Sequence, residues 1–181
     1  VVKERDKENA MEEEKILQSE AAFDTYDAAD RPFDFVGADV ETALICESDP
    51  VLRDKIDAEI TSMGYQITVP GSAKDALKNL RYHVYDLIVV NDNFDTDNPV
   101  NNEVLNYVAN LNMSTRRKMF VAMVSTIFRT GDSMAALNHS VNYVINLKNI
   151  GDISQIITNT IADNEEFYHV FRETMRKRER G

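Results

Sequence analysis

The chain has no tryptophan, one cysteine, four prolines and six glycines among its 181 residues. It also has no apolar stretch approaching the ~20 residues that a bilayer-spanning helix needs. The lone Cys46 cannot pair internally or build a zinc site, and its place at the end of Ala43-Leu44-Ile45-Cys46 reads as a packed free thiol. Near Val1 there is no apolar segment of the secretory kind, so a cytoplasmic address with no membrane partner is expected; the missing initiating Met points to a fragment boundary. Positive charge is scarce as well: 20 Lys and Arg face 31 Asp and Glu, a net charge of −11. Binding nucleic acid requires phosphates to be neutralised by clustered bases, so that partner class is excluded for this chain. Neither a glycine-rich phosphate loop nor a Ser-x-x-Lys or Gly-x-Ser-x-Gly signature occurs. His83, His139 and His169 are too far apart for ligand spacing and read as surface or packing residues.

What is present is a run of large aliphatics, Asp86-Leu87-Ile88-Val89-Val90-Asn91-Asp92, that stops at a polar cluster. Such a run reads as a strand covered on both faces, the pattern of a parallel sheet between helices. In open sheets of that kind ligands bind beyond the carboxyl ends of the strands, so Asn91, where the run ends, is a candidate site residue. The other residues of the loop, Asn93, Asn98, Asn101 and Asn102, read as turn formers.

Around this strand the pattern alternates. Strands are expected at 42–46, 65–69, 86–91, 119–125 and 142–145, and helices at 50–63, 72–83, 101–111, 132–138 and from 151 to about 178. This is a flavodoxin-like (βα)5 arrangement, an α/β doubly wound parallel sheet in the order 2-1-3-4-5. Four segments follow. Residues 1–23 form an acidic helix with a thin apolar stripe, 24–40 a linker, 41–164 the α/β domain, and 165–181 an extension of the last helix with a basic end.

The segments Ala43-Leu44-Ile45-Cys46-Glu47-Ser48-Asp49-Pro50, Met63-Gly64-Tyr65, Ser72-Ala73-Lys74-Asp75-Ala76-Leu77, Tyr85 to Val90 and Asn142-Tyr143-Val144-Ile145 resemble the receiver domain of bacterial two-component response regulators, over roughly residues 41–162. The resemblance implies a signalling module. It also implies a phosphorylation site made of acidic residues that hold Mg²⁺ after strand one, an acceptor Asp ending strand three, a Thr or Ser after strand four and a Lys after strand five. Mg²⁺ takes hard oxygen ligands, the carboxylate attacks phosphorus, and Lys stabilises the developing charge. On these positions the chain carries Glu47 and Ser48, with Asp49 next; Asn91 as acceptor; Val124 or Ser125 as the hydroxyl position, with Ser125 preferred; and Asn146 in place of Lys, followed by Leu147. An amide is neither charged nor able to form an acyl phosphate. The chain is therefore expected to be a degenerate, pseudo-receiver version, not an enzyme, with no cofactor and no metal.

Two alternatives accompany that expectation. In one, Asp92 replaces the acceptor and Glu47, Asp49 and Asp92 hold Mg²⁺, although a one-residue shift turns a strand side chain to the other face. Lys148 would reach the site in place of Asn146. In the other, Asn91 and Asn146 give directional hydrogen bonds to a small molecule in the same crevice. For partners, Phe128 and Arg129 mark a loop at the strand ends, while Phe167, Tyr168, Val170, Phe171 and Met175 continue an apolar stripe on the last helix beyond what covers the sheet. A protein partner or a homodimer through that helix is expected, the other candidate cover being the acidic amino-terminal helix.

Overall fold

Thr42–Cys46 (β1), Leu87–Asn91 (β3) and Phe120–Ser125 (β4) are apolar runs whose side chains are buried on both faces almost without exception. With Gln66–Thr68 (β2) at one edge and Tyr143–Asn146 (β5) at the other, they form one parallel sheet in the order β2-β1-β3-β4-β5. The structure is a computed structural model that describes residues 40–179, with side chains omitted at 99, 170–172 and 175–179. The acidic helix expected over 1–23, and the expected linker up to residue 39, lie outside the described residues.

Period-two alternation sorts the strand side chains into two cores. Leu44, Cys46, Ile88, Val90, Val121 and Met123 face one layer of helices: Ala73–Tyr82 (α2), Glu103–Asn110 (α3) and Ser133–Asn138 (α4). Ala43, Ile45, Leu87, Val89, Ala122 and Val124 face Pro50–Ser62 (α1) and Ile153–Glu179 (α5), which contribute Ile56, Ile60, Ile153 and Ile157. Each fully buried Leu, Ile or Val contributes about 1.5–3 kcal/mol of transfer free energy. The aliphatic content of these runs therefore dictates the three-layer build.

The helix starts follow from capping chemistry. Asp49 accepts from Val51 N at 2.8 Å with Pro50 at the first helical position, and Ser72 accepts from Asp75 N at 3.2 Å. Gly64, at φ 96°, ends the passage from α1 in a conformation that side-chain-bearing residues rarely adopt.

Several element ends differ from the sequence reading by a residue or two, β2 (Gln66–Thr68) among them, and the following differences shape the architecture most. The helix expected over 101–111 is α3, entered through a 3-10 turn at Pro99–Asn101, and a separate helical turn at Met113–Arg116 follows where none was expected. Asn102 caps α3 and Asn112 caps the following turn, each with its own side chain. β5 runs one residue further than expected, to Asn146. The residues after it, Leu147–Asp152, form a 3-10 segment before α5 begins at Ile153. α5 runs unbroken through residue 164, in keeping with a single last helix expected from 151 to about 178. No described helix is long and apolar enough to cross a membrane.

Candidate functional site at the strand ends

Parallel strands deliver their last residues to one edge, and here β1, β3, β4 and β5 bring Glu47, Asn91, Ser125 and Asn146 to the same end of the sheet. Asn91 pairs in register with Val124, and Ser125 with Asn146. Of the two possible hydroxyl-position residues, Val124 lies in the α1/α5 core, while Ser125 terminates β4.

Each of these polar side chains is engaged within the protein. Glu47 is 5 % exposed; one carboxylate oxygen accepts from Asp49 N at 2.9 Å and the other from Asn91 Nδ2 at 2.7 Å. The Asn91 oxygen accepts from Asn93 N at 3.0 Å, so both ends of that amide are engaged. Ser125 Oγ accepts from Ile127 N at 3.0 Å and Phe128 N at 3.3 Å, holding the loop after β4. Asn146 Nδ2 donates to Phe128 O at 2.6 Å, while its oxygen accepts from Lys148 N at 3.0 Å. Lys148 itself is exposed. Ser48 is exposed and accepts from Asp95 N at 3.4 Å, and Asp95 Oδ2 in turn accepts from Ala73 N at 2.9 Å at the start of α2.

Asp92 behaves differently from its neighbour. It is fully buried, its backbone N–H donates to Val124 O at 2.9 Å, and neither carboxylate oxygen has a hydrogen-bond partner among the described residues. Alternation accounts for the split, since Val89 and Val90 already belong to opposite cores and Asn91 and Asp92 continue that phase.

The donor set fits Mg²⁺ poorly. Glu47 is bonded through both oxygens, Asp49 Oδ1 caps α1, Asn91 is uncharged, and Asp92 is buried. A hard dication favours several ionised or carbonyl oxygens with room for its waters. No group of three or more His, Cys, Asp or Glu among the described residues is arranged to hold a metal.

Two residues matter here that the sequence reading passed over. Asn102, 1 % exposed, donates to the carbonyls of Asn91 at 3.0 Å and Asp92 at 3.1 Å, while its oxygen caps α3 through Leu105 N at 3.0 Å. Its position one residue before a helix was the available signal; its second job depends on where β3 ends in space. Arg116, at the opposite end of the sheet, donates to Met119 O at 3.1 Å, Ser140 O at 2.9 Å and Asn142 Oδ1 at 2.7 Å. Burial lowers its pKa, and the Tyr168 side chain opposes that shift. Burial likewise raises the Cys46 thiol far above its ordinary range, with Glu47 adding to the effect.

Of the expected partner-surface residues, Phe128 is half-buried against the α2–α4 core and meets His139 edge-on at 5.4 Å. Arg129 is exposed, 3.8 Å from Asp132. Ile127, Met134 and Leu137 are 69 %, 65 % and 71 % exposed on the same flank. A groove of about 270 Å³ between α4 and β5 has Leu137 in its wall. On α5, Phe167 is 78 % exposed and packs edge-on with Tyr168 at 5.0 Å. The side chains of Phe171 and Met175 lie outside the described residues.

No protein-family model matches the chain, and no curated protein matches it. Among solved structures, it is similar to a CheY-like response regulator receiver domain from Methanospirillum hungatei JF-1, at 18% identity and TM-score 0.55, covering 70% of this chain and 98% of that one. A putative response regulator from Chloroflexus aurantiacus matches at 14% identity and TM-score 0.56, covering 68% and 98%. An orphan response regulator of H. pylori matches at 18% and 0.51, covering 66% and 95%. The likeness is one of fold: the five-stranded parallel sheet in the order 2-1-3-4-5 is the fold of these response regulator receiver domains.

Proposed function

We propose that this chain is a signalling module of the pseudo-receiver kind, working through protein–protein contact without aspartyl phosphorylation. The observation that carries the reading is the Asn91–Glu47 bond: an amide donates at 2.7 Å to the carboxylate beside the acceptor position. That amide is no nucleophile toward phosphorus, and it satisfies the buried acid that a metal would otherwise have to neutralise. Asp92 is a poor substitute because it is enclosed.

Contact surfaces are supported at two places. Ile127, Met134 and Leu137 expose apolar area beside the loop that Ser125 and Asn146 hold. The extension of α5 offers Phe167 and a continuing apolar stripe to a protein partner or a second copy. The test is incubation of the intact protein with a small acyl phosphate and Mg²⁺, read by mass. No phosphoryl mass gain is the expected result; a gain mapped to Asp92 would overturn the reading.

A further inference from the structure

We infer that the α5 extension pairs with the same helix of a second copy in antiparallel orientation, a step that rests on the protein-contact reading above. Phe167, Val170, Phe171 and Met175 recur at helical spacing with Phe171 near the middle, inside the helix Ile153–Glu179. Phe167 exposes 78 % of its surface, an unusual state for a large aromatic with others of its kind following in the stripe.

Charge selects the occupant and its direction. Before the apolar stripe lie Asp163, Glu165 and Glu166; after Phe171 come Arg172, Arg176, Lys177 and Arg178, with Glu173 and Glu179 as the only acids. Basic residues near a helix carboxyl end also favour the helix dipole, which explains part of that half but not the acidic one. A parallel pair would set acids against acids and bases against bases. An antiparallel pair centred on Phe171 lays the acidic half of one copy alongside the basic half of the other, and brings Phe167 level with Met175 on the seam.

The receiving surface suits that arrangement. In this register Arg178 of the second copy arrives level with Asn164. There a hollow of about 110 Å³ at the amino-terminal edge of the sheet is lined by Glu41, Asp86 and Glu165 as well as Arg117 and Lys118. Its carboxylates outnumber its cations. The overlapping stretch, about four turns, is short, so the pair is weak and salt-sensitive.

The test uses the full chain with single substitutions Phe167→Cys and Met175→Cys; the native Cys46 is fully buried and stays out of the reaction. Under mild oxidation an equimolar mixture of the two variants is expected to give a covalent dimer, with each variant alone giving little. Light scattering of the unmodified chain is expected to show a mass that rises with concentration and falls as salt is added. Strong self-linking of each variant alone would overturn the antiparallel register while leaving a protein-contact role intact. A monomer up to ~0.5 mM, high enough to populate a weak interface of this size, would overturn the second copy altogether. Neither failure depends on phosphorylation, so each is separable from the mass test of Asn91 and Asp92.

Discussion

The Asn91 amide stands 2.7 Å from the Glu47 carboxylate and donates to it. Replacing Asn91 with Asp would remove the donor and put two carboxylates in contact. The Asn91→Asp variant is expected to lose about 2–4 kcal/mol at neutral pH. Mg²⁺ is expected to restore part of that loss in the variant and to leave the parent unchanged, because two adjacent carboxylates form the oxygen site the dication takes. Thermal melts of both proteins with and without Mg²⁺ measure this. A variant as stable as the parent would mean that the bond contributes nothing.

Asp92 carries the opposite lesson, since its carboxylate is enclosed and has no hydrogen-bond partner among the described residues. Asp92→Asn keeps the shape and removes the charge. An enclosed carboxyl must either hold an unpaired charge or take up a proton at neutral pH, a cost an amide does not carry, so the urea midpoint is expected to rise. A lower midpoint would show that the carboxylate is engaged.

Asn102→Ala removes one helix cap and two hydrogen bonds to strand-end carbonyls. A cap contributes ~1 kcal/mol, and leaving buried carbonyls without donors adds to the loss, for a total of about 2–4 kcal/mol. Hydrogen exchange should accelerate from Asn91 through the start of α3 more than elsewhere. Uniform acceleration would assign Asn102 to the helix cap alone.

His83 predicts a pH effect. Burial lowers its pKa below the usual 6.5, with Asp86 opposing, and its Nε2 lies 2.9 Å from Thr42 Oγ1. The unfolded chain therefore binds the proton more readily than the folded one. The associated stability is fully present above pH 6.5 and is lost as pH falls from there toward the folded-state value. His83→Gln should flatten the stability profile in that window, measured by urea unfolding at stepped pH. An unchanged slope would assign it to other groups.

The fold was legible because β1, β3 and β4 are buried on both faces and so read as unbroken aliphatic runs, and because Asp49, Ser72 and Gly64 punctuate them. The order of strands followed from the handedness of parallel crossovers, which burial patterns alone do not supply. The limits fell where polar residues serve tertiary geometry. Asn146 ends β5 in the sheet although its type suggests a loop, and Asn112 caps a helical turn too short for periodicity to reveal. Asn102 and Arg116 looked ordinary because a hydrogen bond from Arg116 to Ser140 depends on how the sheet brings distant chain segments together, which no local window contains.

Arg116 lies beside Tyr168 and grips the entrance of β5 at Ser140 and Asn142, while the exit of the same strand, Asn146, grips the loop carrying Phe128. A four-residue strand thus joins the two poles of the molecule as a short stiff rod, ~13 Å from end to end. The same strand therefore ties the sheet end near Tyr168 to the loop that carries Ile127 and Phe128.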